Sequence, residues 1–175
     1  MLSIGDKFPE FSKPAVLSNK EFGNITSEDH KKDGKWMVMF WYPKDFTFIC
    51  PTEITEFNNK HDEFLNLNSV LYGASTDTED VHLAWRENDR NLNNLGFPLI
   101  ADTSKSLSQE LGILQPEKVA YRATFIVDPD GVIQWININN DNTGRNIDEV
   151  LRALEATQTI EKTPCNWLPG QATLS

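Results

Sequence analysis

The chain's alternation of short apolar blocks predicts an α/β fold with a mixed central β-sheet flanked by helices. Trp36-Met37-Val38-Met39-Phe40-Trp41 and Ser69-Val70-Leu71-Tyr72-Gly73-Ala74-Ser75 have the length and flanks of strands buried on both faces. Between them Ile54, Phe57, His61, Phe64 and Leu65 recur at helical spacing, which gives one buried stripe. Farther along, Asp128-Pro129-Asp130-Gly131 separates two β-rich runs with Asp-Gly at the turn, a hairpin signal. An alternating first half followed by an antiparallel hairpin implies a sheet with both kinds of neighbour.

Taken in order, the first strand at 36–41 follows Lys31-Lys32-Asp33-Gly34 and ends at Tyr42-Pro43-Lys44-Asp45. A helix is expected over 50–67, because Pro51 suits the first helical position and Glu53 falls in the first turn, where carboxylates are favoured. The strand at 69–75 leads through Thr76-Asp77-Thr78, which offers N-caps, into a helix over 79–93. Residues 97–101 read as a short strand, and Thr103-Ser104 caps a helix near 105–111. The hairpin strands are 123–127 and 132–138, and an amphipathic helix spans 147–160. This is the element order of a thioredoxin-like fold with an N-terminal extension and a C-terminal tail. The length suits one domain, here 1–160, with residues 161–175 as the tail.

Composition excludes several functions. The chain carries 26 acidic against 16 basic residues, a formal charge of −10, which argues against nucleic-acid binding and against docking on anionic membranes. No stretch approaches the roughly 20 apolar residues that span a bilayer. The first residues lack the basic and apolar regions of a signal peptide, so a cytoplasmic location is expected. With only Cys50 and Cys165, a disulfide-stapled scaffold is not expected. None of His30, His61 and His82 pairs with a cysteine at metal-ligand spacing, so neither a metal nor another cofactor is expected.

The chemistry points to Cys50. It lies at a loop-to-helix junction just before Pro51, where free backbone N–H groups and the positive end of the helix dipole are expected around its sulfur. Such surroundings favour the thiolate, the nucleophilic form. The local string is Pro-x-x-x-Thr-x-x-Cys, from Pro43 through Thr47 to Cys50. One helix-like turn would bring the Thr47 hydroxyl beside the sulfur, able to hold a hydroperoxide, and Pro43 would shield the thiolate without adding a competing N–H. Donors aimed at the departing oxygen would lower the barrier to O–O cleavage.

Pro43-Lys44-Asp45-Phe46-Thr47-Phe48-Ile49-Cys50-Pro51-Thr52-Glu53 resembles the active-site segment of the typical 2-Cys peroxiredoxins, in particular the bacterial alkyl hydroperoxide reductase C group. Residues 121–131 resemble a second family segment, whose arginine, here Arg122, sits against the reactive sulfur and donates to the peroxide. Gly144-Arg145 is similar to a third, whose arginine joins an ion-pair network with the glutamate matched by Glu53. His82-Leu83-Ala84-Trp85 is similar to the family's His-x-Ala-Trp segment, and His82 and Trp85 read as packing or interface residues. Residues 164–170 resemble the segment that carries a resolving cysteine, here Cys165. The resemblance implies that peroxide converts Cys50 to a sulfenic acid, which Cys165 of a second subunit resolves as a disulfide. A homodimer, a possible ring of five dimers, and a dithiol reductant such as thioredoxin or a dedicated disulfide reductase follow from the same resemblance. Spacing alone leaves open whether the disulfide is within or between chains.

Two other functions compete. A redox-controlled oligomeric chaperone or signalling adaptor would not need the peroxidatic set. A thiol–disulfide oxidoreductase would use Cys-x-x-Cys, and position 53 is glutamate. The segment Asn94-Leu95-Gly96-Phe97-Pro98 lacks a Gly-Gly-Leu-Gly insertion, and no Tyr-Phe segment follows Cys165. Family members with both features overoxidise easily, so comparative resistance to overoxidation is expected.

Overall fold

The computed structural model describes residues 2–174. Its elements run β1 (Ser12–Val16), β2 (Phe22–Thr26), α1 (Asp29–Lys32), β3 (Trp36–Trp41), α2 (Cys50–Asn59), α3 (His61–Asn66), β4 (Ser69–Ser75), α4 (Glu79–Asn88), β5 (Leu99–Ala101), α5 (Ser106–Glu110), β6 (Arg122–Val127), β7 (Ile133–Asn139) and α6 (Ile147–Gln158). One seven-stranded sheet has the order β2-β1-β5-β4-β3-β6-β7. Strands β3, β4 and β5 are parallel neighbours, whereas β6 runs antiparallel to both β3 and β7. This is the mixed sheet of a thioredoxin-like fold that the order of apolar blocks predicts. No helix among the described residues is long and apolar enough to cross a membrane.

The unbroken apolar run of β3 is explained by its central place. Met37, Met39 and Trp41 point to one face of the sheet, into a core with Phe8, Phe11 and Phe125. Val38, Phe40 and Tyr42 point to the other, into a core with Ile54, Phe57, Phe97 and Cys50. Phe40 stacks on Phe57 with ring centroids 4.0 Å apart, which seats α2 on the sheet. The reactive-cysteine candidate is therefore a member of the second core.

Three features depart from the sequence reading. The β1–β2 hairpin lies in what reads as an extension, because Pro14, Gly23 and Asn24 are poor strand formers and only the pairing of Ser12–Val16 with Phe22–Thr26 makes them strands. The helix expected over 50–67 is two helices broken at Lys60. That break takes Leu65 out of the buried stripe: it is exposed, while Phe64 is buried. Helix α4 stops at Asn88, five residues earlier than the predicted 93.

Arg86 accounts for the loop that replaces the end of α4. Its side chain is fully buried and donates to the carbonyls of Leu17, Ser18, Leu92, Asn93 and Leu95. It thus ties the β1–β2 turn to the loop before β5. Replacing Arg86 with Met leaves buried carbonyls without donors, and the expected loss is about 3 kcal/mol of unfolding free energy. Urea denaturation at neutral pH measures it, and an unchanged midpoint contradicts this account of the loop.

Candidate active site

Helix α2 begins at Cys50, with Pro51 in its first turn. Glu53 lies one helical turn on and therefore on the same face as Cys50. Arg122 is the first residue of β6, next to β3 in the sheet, and Arg145 lies in the loop that enters α6. Three separate elements thus deliver side chains to one point.

There, Arg122 Nη1 donates to Cys50 Sγ at 3.2 Å and to Glu53 Oε1 at 2.7 Å, while Nε donates to the Asp141 carbonyl at 2.7 Å. Arg145 closes on the same carboxylate: its backbone N–H and Nε both donate to Glu53 Oε2, at 2.8 and 2.7 Å, and Nη2 donates to Oε1 at 3.1 Å. The Arg145 guanidinium also lies over the Phe40 and Phe57 rings, 5.4 and 5.9 Å from their centroids. The side chains of Glu53, Arg122 and Arg145 are 3, 5 and 1% exposed, and Cys50 is fully buried.

Two guanidiniums face one carboxylate in this buried group, so a net positive charge lies against the Cys50 sulfur. Burial alone would raise Glu53, but the hydrogen bonds and charge of Arg145, with Arg122 behind them, outweigh it and hold the carboxyl below its ordinary range. Burial would lower Arg122, but its bonds to Cys50 and Glu53 keep it raised and fully charged.

The expected backbone cradle takes a different form. Thr52 and Glu53 direct their N–H groups to the Ile49 carbonyl, and Pro51 has none to give. The hydrogen-bond donor at the sulfur is a guanidinium instead. The Thr47 hydroxyl donates to the Lys44 carbonyl at 3.1 Å and makes no hydrogen bond to Cys50. Its oxygen keeps acceptor capacity for a hydroperoxide O–H. A cleft of about 450 Å³ opens beside this group, with Pro43, Thr47, Ile49, Val119 and Arg122 among its walls. The sulfur does not line the cleft; Arg122 touches both. Arg122 Nη2 makes no hydrogen bond among the described residues, which leaves it able to donate to a bound molecule.

Cys165 lies elsewhere. It is exposed and unpaired in the tail beyond α6, two residues before the buried Trp167. Trp85 is buried, with its ring 5.9 Å from that of Tyr42 and 6.0 Å from that of Phe46. Sequence reasoning missed a second polar group beside the site, made by the buried Tyr42, Asp45 and His82 with the half-buried Asp77. Ligand atoms of Asp45, Asp77 and His82 lie close enough to hold a cation, but Asp45 and His82 pair with each other and Asp77 accepts from the Asp45 backbone N–H and the Ser75 hydroxyl. The signals for the group are Asp45, which sits inside the Pro43–Cys50 string, and His82, which opens the His-x-Ala-Trp segment.

A model of the AhpC/TSA family matches residues 4–136. The chain belongs to that family. The alkyl hydroperoxide reductase C of Mycolicibacterium smegmatis is 40% identical to it over 186 aligned positions, covering 100% of this chain and 94% of that protein. The Bacillus subtilis protein YkuU is 47% identical over 175, covering 98 and 97%. Among solved structures, the reduced 2-Cys peroxiredoxin of Plasmodium vivax superposes with a TM-score of 0.94 at 31% identity, covering 99% of this chain and 93% of that one. Mycobacterium bovis AhpC gives 0.87 at 42% identity, covering 95 and 98%. The chain is thus a peroxiredoxin-type member of the AhpC/TSA family, and its cysteine–arginine–glutamate group sits where α2, β6 and the loop before α6 meet.

Replacing Glu53 with Gln leaves two buried guanidiniums without their carboxylate, and the expected cost is about 3 kcal/mol at neutral pH. Because Glu53 is held below its ordinary value, its contribution is complete above about pH 4.5 and is lost as pH falls through the lower folded value. Stability measured against pH should therefore fall steeply below about 4.5 in the unaltered protein and more shallowly in the variant. Parallel profiles contradict the assignment.

Proposed function

We propose that this chain is a thiol peroxidase that reduces hydrogen peroxide and organic hydroperoxides through Cys50. The observation that carries the reading is the 3.2 Å hydrogen bond from Arg122 to the buried Cys50 sulfur, made by a guanidinium that also walls an open cleft. Cys50 thiolate attacks the near oxygen of the peroxide, an S–O bond forms and the O–O bond breaks. The far oxygen leaves with the bonding electron pair and takes a proton, giving water or an alcohol. Arg122 Nη2 supplies a donor for the oxygen on which charge grows. The Thr47 oxygen accepts the peroxide O–H, and Pro43 covers the sulfur without offering an N–H.

The product is a Cys50 sulfenic acid. A thiol condenses with it to a disulfide and releases water. Cys50 is wholly enclosed and Cys165 is exposed, so the first turn of α2 must unwind before the two sulfurs meet. The disulfide forms with Cys165 of a second subunit in a homodimer, and a ring of five dimers is the larger assembly. A dithiol protein, thioredoxin or a dedicated disulfide reductase, then restores both thiols by exchange. In this reading residues 1–160 form the peroxidatic domain, residues 161–175 form the tail that carries the resolving thiol, and the protein works in the cytoplasm.

Peroxide consumption and non-reducing electrophoresis test the proposal together. The unaltered protein should give a disulfide-linked dimer after one equivalent of peroxide. Cys165→Ser should consume that equivalent and give no dimer, and Cys50→Ser should consume none. Peroxide turnover by Cys50→Ser contradicts the reading.

A further inference from the structure

The buried group around His82 has no part in the reaction as described, yet it grips the loop that builds the peroxide site. His82, on α4, is fully enclosed. Its Nδ1 lies 2.6 Å from Asp45 Oδ2 and its Nε2 lies 3.0 Å from the Ile100 carbonyl on β5. Tyr42, at the end of β3, donates its hydroxyl to Asp45 Oδ1 at 2.7 Å. The Asp45 backbone N–H donates to Asp77 Oδ2 at 2.8 Å, and Ser75 holds the same oxygen at 2.7 Å. Asp45 is thus held directly by Tyr42, Asp77 and His82, and Ser75 on β4 and Ile100 on β5 hold two of those partners in turn.

The residue that follows needs such a hold. Phe46 has φ of 58°, in the left-handed region that a bulky side chain rarely adopts. Strained backbone of this kind persists only where its surroundings over-determine it. Thr47 comes next and Pro43 lies two residues before Asp45, so the strained turn sets both walls of the cleft.

We propose that the Asp45–His82 pair is the positioning device of the peroxide site, a buried clamp that fixes the strained turn and thereby holds Thr47 and Pro43 in the walls of the cleft beside Cys50. Both residues are positioning residues, since neither touches the sulfur. The proposal rests on the peroxidase reading and names the groups that set its geometry.

The proton of the pair sits on His82. Both ring nitrogens face acceptors, and only an imidazolium can donate from both. Asp45 Oδ1 already accepts from Tyr42, which favours the carboxylate. Burial would lower His82, but Asp45, the Ile100 carbonyl and the more distant Asp77 carboxylate outweigh it and hold the imidazole above its ordinary value. Burial raises Asp45 as well, against the pull of His82. Tyr42 is pushed well up by burial and by Asp45, so it remains a neutral donor. The ion pair of the clamp is lost as pH rises through the raised value of His82 and, at the acid end, as pH falls through the raised value of Asp45.

The test compares two reactions of Cys50, with hydrogen peroxide and with iodoacetamide, in the unaltered full-length protein and in Asp45→Asn, His82→Gln and the double variant. Peroxide needs the loop's groups; alkylation does not. Each single variant should lose tenfold or more in the peroxide rate constant, and the double variant should lose no more than either. Alkylation should not slow. Nitrogen-15 NMR across a pH titration of the unaltered protein should show both His82 ring nitrogens still protonated above the ordinary histidine value of about 6.5. Equal loss in both reactions, an unchanged peroxide rate, or a neutral His82 ring overturns the clamp. If the unaltered protein does not react with peroxide at all, the peroxidase reading falls with it.

Discussion

The structure turns on a positive charge held against a sulfur that water does not reach. Arg122 lies 3.2 Å from Cys50 Sγ, and at an effective dielectric of about 20 such a pair attracts by about 5 kcal/mol. Taking a thiolate out of water costs several kcal/mol by itself, so the attraction is of the size that burial demands. Its strength depends on where the guanidinium is kept. Glu53, one helical turn from Cys50, binds Arg122 from one side and Arg145 from the other. One carboxylate between two cations leaves a net positive charge, and the sulfur lies against it.

The sheet explains why these groups meet. The parallel pair β3–β4 and the antiparallel pair β3–β6 bring α2 and Arg122 to neighbouring places on one side of β3. Phe40 and Phe57, stacked 4.0 Å apart, fix α2 beneath them and lie under the Arg145 guanidinium. The apolar core and the ionic group therefore share a boundary, and a shift in one is felt in the other. The same enclosure hides Cys50 from any second thiol, so oxidation and resolution require different conformations of the first turn of α2.

Much of this was legible in the sequence. The strands β3 and β4 are long apolar runs because both their faces are covered, and the hairpin β6–β7 announces itself by its turn residues. The pairing of β1 with β2 was not legible, since Pro14 and Gly23 owe their strand conformation to partners and not to propensity. Cys50 was marked by its junction with a helix, and its relation to Arg122 and Glu53 came from the resemblance of whole segments. Spacing alone could not place residues 50 and 122 together. The same reading expected backbone N–H groups at the sulfur, and the Ile49 carbonyl takes them instead. The contacts of Asp45 with His82 were invisible for a similar reason: a buried ion pair between a loop and a helix leaves no periodic trace.

The most direct measurement is the second-order rate constant for oxidation of reduced Cys50 by hydrogen peroxide in Arg122→Gln, set against the unaltered protein. The variant keeps a planar, hydrogen-bonding side chain but has no charge. Loss of the charged donor should slow the reaction by about two to three orders of magnitude while the circular dichroism spectrum stays native. A folded variant that reacts within threefold of the unaltered protein would contradict the account.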